Sequence, residues 1–154
     1  MDCTIDGVSI RTLQSIPDER GRLMEILRRD DDHFQGFGQV YLTTVLPGVV
    51  KAWHMHRHQV DVFTAIKGML KAVLVDQREE SPTAGTIMEI FMGEHRPLQV
   101  VVPPGIYHGY KCISVGEALI INVPNRVYNY ADPDEVRLPP HAGHFDYDWA
   151  RVDR

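Results

Sequence analysis

The sequence predicts an all-β sandwich or barrel, and three observations carry that reading. Short runs rich in Val, Ile, Leu, Phe and Tyr recur along the chain, as half-buried strands require. Turn-forming clusters separate them: Pro47-Gly48, Lys67-Gly68, Ser81-Pro82-Thr83-Ala84-Gly85 and Pro103-Pro104-Gly105. No internal repeat or low-complexity linker interrupts the 154 residues, a length that suits one domain with a real core. A single domain over 4–149 with a short C-terminal tail at 150–154 is the expected organisation.

The elements follow in chain order. Leu23–Arg29 has the character of about one helical turn. Gln39–Leu46 is the first clear strand, closed by Pro47-Gly48. Gly48 to Gly68 reads as strand on both sides of a histidine run. Val60–Ile66, Met69–Val75, Thr86–Met92, Leu98–Val102 and Ala118–Val123 complete the set, each an apolar run bounded by turn residues. From Ala131 onward the chain is rich in Pro, Asp and His and is expected to wrap the surface as irregular coil.

Composition removes several function classes. A net charge of −5 argues against binding nucleic acid through its phosphates. No apolar run is long enough to cross a membrane, and Met1-Asp2-Cys3 does not open a signal peptide. Cys3 and Cys112 are the only cysteines and neither lies in a CxxC pair, so a disulfide framework, a zinc finger and a thioredoxin motif are excluded. A reducing cytoplasm is the expected location.

The chemistry concentrates in Trp53-His54-Met-His56-Arg-His58-Gln-Val-Asp61. Alternate residues of a strand share a face, so His54, His56 and His58 are expected to project together. Grouped imidazoles suit metal binding or proton transfer. His108 follows Pro103-Pro104-Gly105, and a fold that joins the two segments builds one pocket.

The spacing of Gly48, His54, His56, Asp61 and Gly68 resembles the first motif of the cupin superfamily. Pro103-Pro104-Gly105-Ile106-Tyr107-His108 resembles the second, with Cys112 where an asparagine is usual. The resemblance implies a jelly roll (a double-stranded β-helix), with the two motifs on facing strands and their side chains inside. In metal-binding cupins four such residues hold one divalent ion. Here the set would be His54, His56, Asp61 and His108, donors that suit Fe, Mn, Ni or Zn. His58 has no part in that motif.

A second resemblance covers more of the chain, from about Asp18 to Trp149. Asp18-Glu-Arg20-Gly21-Arg-Leu23-Met-Glu25, Gln39-Val-Tyr41, Lys51-Ala-Trp-His54, Asp76-Gln-Arg78-Glu-Glu-Ser81-Pro82-Thr83-Ala-Gly85 and Pro104-Gly105-Ile-Tyr-His108-Gly109-Tyr110 resemble consecutive motifs of the dTDP-4-dehydrorhamnose 3,5-epimerase family, a cupin branch that generally works without metal. The resemblance implies a nucleotide-sugar epimerase or isomerase with no cofactor. It casts His54 as the base that removes a proton beside a C4 ketone and Lys51 as a cation toward the substrate. It places Gln39 and His108 in the pocket wall and Tyr128 against the nucleotide base. Arg20 and Glu25 would reach over from a partner subunit, which implies a homodimer.

Three positions depart from the family. Asp61 stands where it has a lysine that stabilises an enolate, a charge that by itself repels one. Asn122 stands where it has a tyrosine acid, and an amide is no general acid. Tyr41 replaces an asparagine nearby and can supply a phenol. The family's aspartate partner for the base lies in a motif beyond the Trp of its C-terminal segment; Asp148 and Asp153 are candidates for that part, although both read as solvated coil residues. Two other readings therefore stand beside the epimerase: a metal-dependent cupin enzyme holding one divalent ion at His54, His56, Asp61 and His108, and a non-catalytic sugar-nucleotide-binding relative.

Overall fold

The computed structural model describes residues 4–153, so Met1-Asp2-Cys3 lies outside the described residues. The strands are β1 (Ser9–Thr12), β2 (Ser15–Asp18), β3 (Gly21–Met24), β4 (Tyr41–Val45), β5 (Val50–His56), β6 (Asp61–Lys67), β7 (Met69–Asp76), β8 (Ile87–Gly93), β9 (Leu98–Val102), β10 (Ile106–Cys112), β11 (Ala118–Asn122) and β12 (Glu135–Arg137). Two five-stranded sheets, ordered β1-β9-β6-β11-β4 and β12-β5-β10-β7-β8, form the two walls of a jelly roll, and β2-β3 is a separate hairpin. All strand neighbours pair antiparallel.

The predicted strands form, with several ends shifted by one or two residues. Alternation fills the core from both walls: Val45, Phe63, Ala65, Val100, Val102 and Ile120 meet Leu70, Ala72, Leu74, Ile90 and Met92. Two expectations fail. Leu23–Arg29 holds no helix; Leu23 and Met24 lie in β3, paired with Ile16 and Ser15 across the hairpin. The segment after Ala131 is not all surface coil. Glu135–Arg137 adds an edge strand to β5, and Trp149, 2% exposed, packs on Trp53 with ring centroids 4.9 Å apart. Phe145 and Tyr147 complete this aromatic cluster, which covers the outer face of β5. Asp, Pro and His content hid a segment anchored by three aromatics.

The Asp76–Gly85 motif is a structural clip. Asp76 is fully buried, and one carboxylate oxygen accepts from Arg78 Nη2 at 2.8 Å, Ser81 Oγ at 2.6 Å and Thr83 Oγ1 at 2.7 Å. These bonds, Arg78 first and against the cost of burial, hold its pKa far below 3.8. The stabilisation is therefore present above pH 3.8 and lost only as the pH falls through the folded value. Asp76→Ala removes the shared acceptor of Arg78, Ser81 and Thr83 and is expected to cost about 1–3 kcal/mol, read as a lower urea midpoint at neutral pH.

Candidate active site

The two sheets meet at a histidine-lined mouth. β5 brings His54 and His56 inward, and His108 of β10 pairs directly with His54. The two motifs thus lie on adjacent strands of one sheet, a correction to the facing strands expected; their rings are 4.0 Å apart. The acid arrives from the opposite wall, because the 57–60 connection crosses between the sheets and Asp61 opens β6. His58 does not share the face of His54 and His56. The strand ends at His56, and His58 is an exposed residue of the crossing turn. Asp134 fixes that turn, its carboxylate accepting from the backbone N–H of Arg57, His58 and Gln59 at 3.1, 3.0 and 2.9 Å.

A bulge decides the position of Lys51. His108 and Tyr110 are two residues apart, whereas their partners His54 and Lys51 are three apart. The extra residue turns Lys51 onto the inner face, beside His54. Gly109 permits the close approach: an alanine Cβ there would lie 2.2 Å from that of Ala52. Lys51 Nζ then crosses the mouth to donate to Thr43 Oγ1 on β4 at 3.1 Å.

Asp61, 1% exposed, is the hub. Its Oδ1 accepts from Gln59 Nε2 at 2.8 Å and Asn122 Nδ2 at 3.0 Å; its Oδ2 faces His108 Nε2 at 3.1 Å and His56 Nε2 at 3.3 Å. Burial pushes its pKa up, but the His108 and His56 hydrogen bonds prevail and hold it well below 3.8. His108 Nδ1 meets the Ile106 carbonyl at 3.1 Å, so both its ring nitrogens face oxygen atoms. Burial lowers the pKa of His56, yet Asp61 outweighs burial and the net direction is upward. The negative charge that alone would repel an enolate is therefore matched by its imidazole partners.

His54 is different. No hydrogen bond reaches its ring among the described residues. Burial, then the neighbouring His108, push its pKa well below 6.5 against the pull of Asp61. Such an imidazole is neutral at pH 7 and able to accept a proton.

Tyr41 and Asn122 are cross-strand partners, and Asn122 Nδ2 donates to the Tyr41 hydroxyl at 2.7 Å. Gln39 Oε1 accepts from the Tyr128 backbone N–H at 3.2 Å, joining two predicted binding residues. Tyr128 borders a cleft of about 380 Å³ next to the mouth, with His56, Arg57, His58 and Arg126. Arg20 and Glu25 are not brought to this site: Arg20 pairs with Asp18 and Glu25 with Arg28, all exposed. Asp148 caps the Ala150 N–H, and Asp153 pairs with Arg151. The segment through Trp149 covers the outer face of β5, so Asp148 is no partner for His54. The carboxylate grouped with His54 is Asp61: one donor atom from each of His54, Asp61 and His108 lies within 4.8 Å of the others.

Sequence reasoning missed Gln59, Tyr110, Glu135 and Arg137. Tyr110 is two residues past His108, so strand parity alone puts it inward; its ring lies 6.1 Å from that of His54. Glu135 and Arg137 pair with His56 and His54 and carry a polar-apolar-polar alternation that marks a strand face.

A jelly roll with inward histidines and an acid at its mouth defines a cupin. The chain belongs to the dTDP-4-dehydrorhamnose 3,5-epimerase family, whose sequence pattern matches residues 2–153. That family is one of sugar epimerases, and this chain is a member of the isomerase class. It is 39% identical over 147 residues to the Haloferax volcanii protein named Probable low-salt glycan biosynthesis epimerase Agl13, covering 94% of each chain. It is 35% identical over 145 residues to the spore coat polysaccharide biosynthesis protein SpsL of Bacillus subtilis, covering 94% of this chain and 96% of that one. Among solved structures, the dTDP sugar isomerase of Desulfovibrio desulfuricans G20 superposes with a TM-score of 0.91 at 30% identity, covering 97% of this chain and 95% of that one.

Proposed function

We infer that the chain epimerises a dTDP-4-keto-6-deoxy sugar by proton transfer at a carbon next to the C4 ketone. The observation that carries this is His54, an inward imidazole at the barrel mouth whose ring makes no hydrogen bond among the described residues. It takes the proton from carbon, and Lys51 at the same mouth meets the negative charge that develops on the C4 oxygen. Proton transfer of this kind consumes no cofactor. His108 and Asn122 hold Asp61 in place beneath the sugar. The adjoining cleft suits the nucleotide end, with Tyr128 against the base, Gln39 fixing its backbone, and Arg57 and Arg126 toward the diphosphate. Incubation with dTDP-4-keto-6-deoxyglucose in heavy water is expected to place deuterium at C3, C5 or both. No deuterium at either carbon of this or any other keto sugar nucleotide would count decisively against the reading.

A homodimer belongs to the same proposal. An apolar groove of about 480 Å³, lined by Met24, Ile26, Phe37, Val40, Ile121 and Val123, lies on the outside of the β11-β4 edge, next to the stretch that carries Arg20 and Glu25. Light scattering on the purified protein is expected to give twice the chain mass. A cytoplasmic location fits a nucleotide-sugar substrate.

The spacing of His54, Asp61 and His108 favours one second reading, a divalent ion held by these donors. Against it, His108 Nε2 and His56 Nε2 lie 3.1 and 3.3 Å from Asp61 Oδ2, the spacing of direct imidazole–carboxylate contacts. One equivalent of Fe, Mn, Ni or Zn per chain, required for exchange, would establish the metal reading.

A further inference from the structure

Epimerisation takes hydrogen from one face of a carbon and returns hydrogen to the other. His54 serves one face only, so a second group on the opposite wall of the barrel is needed. Lys51 of β5 touches Thr43 of β4, so these strands oppose each other across the mouth. Tyr41 is two residues from Thr43 and shares its inward face. We propose that Tyr41 is the proton donor on the face of the sugar opposite His54.

The hydrogen-bond directions support this role. Asn122 Oδ1 accepts from the Val62 N–H at 3.1 Å, which fixes the amide orientation. Its Nδ2 therefore spends one hydrogen on Asp61 and the other on the Tyr41 oxygen. The Tyr41 oxygen accepts, and no acceptor among the described residues takes its own hydrogen, which is free to be given. When Tyr41 passes that hydrogen to the enolate carbon, the C–C double bond supplies the electron pair for the new C–H bond and the C4 carbonyl re-forms. The phenolate left behind keeps the Asn122 N–H as its stabilising donor and regains a proton from solvent, to which Tyr41 is 38% exposed. Burial, then the charge of Asp61, push the Tyr41 pKa up to about 12, so the phenol holds its proton at neutral pH. Tyr110 is no substitute: it stands on the same wall as His54, two residues from His108, and would return hydrogen to the face it left.

This rests on the epimerase reading, and two rates separate the two claims. With dTDP-4-keto-6-deoxyglucose in heavy water, wild type shows both exchange and epimerised product. Tyr41→Phe is expected to lose roughly 100-fold or more in epimerisation while exchange with retention at the same carbon stays within about threefold. Tyr41→Leu, read by the same ratio, guards against a folding defect peculiar to one variant. Epimerisation by Tyr41→Phe at the wild-type rate overturns the assignment, as does an equal fall in both rates, which marks a merely structural role. Absence of exchange and product in wild type overturns the epimerase reading instead.

Discussion

His54→Asn is expected to lower kcat/KM by roughly 100- to 10,000-fold, the range a positioned general base supplies, and to abolish deuterium exchange. The loss should fall on kcat, because an amide of similar size keeps the contour of the wall but accepts no proton from carbon. Folding should survive, since His54 makes no hydrogen bond within the described chain. The pH dependence identifies the group. A base whose pKa is pushed below 6.5 by burial gives wild-type kcat/KM an acid limb with its midpoint below that value. Stability moves in the same window. The unfolded chain binds a proton on His54 at higher pH than the folded one, so wild-type stability rises as the pH climbs toward 6.5. The variant lacks this group, so its stability should be flatter with pH there. An acid limb above 6.5, or exchange within threefold of wild type in His54→Asn, would remove His54 from the mechanism.

Most of the jelly roll was legible because its strands carry their own signal. Val60–Ile66, Met69–Val75 and Leu98–Val102 are mostly apolar runs with Pro or Gly at or near an end, so burial and turns agree. The elements that were not legible draw their stability from distant partners. β12 exists because Asp134 anchors the 57–59 turn and the aromatics at 145–149 seal β5, contacts invisible to local composition. The hairpin residues Leu23 and Met24 have helical propensity, and pairing with Ile16 and Ser15 overrides it. In the site, strand parity correctly grouped His54 with His56, and it failed at His58, where the strand had ended. It failed also at Lys51, which a one-residue bulge turns inward. A bulge changes which residues share a face without leaving a mark in the alternation.

Asp61 was the residue hardest to read, since its charge opposes an enolate and its neighbours were unknown. Asp61→Asn is expected to cost about 3–5 kcal/mol, the range for breaking a buried ion pair by removing one partner, and to lower activity at least as far as that unfolding alone allows. The carboxylate accepts from Gln59, Asn122, His108 and His56 together. An amide offers one oxygen and one NH2 group, so two of these four donors would face another donor in a buried site. The sign of the pH effect follows from the pair. Asp61 is held well below 3.8, so its contribution is present above pH 3.8 and lost as pH falls through the folded value. His56 is raised above 6.5, so its contribution is full below 6.5 and lost as pH rises through its folded value. Both are charged together between those limits. The stability gap between wild type and Asp61→Asn should therefore be widest there and narrow as His56 loses its proton. NMR titration of the variant should show the His56 midpoint moving down, because burial then acts without its main counterweight. A variant as stable as wild type, or a gap that does not change with pH, would mean that Asp61 is not the charge that organises this site.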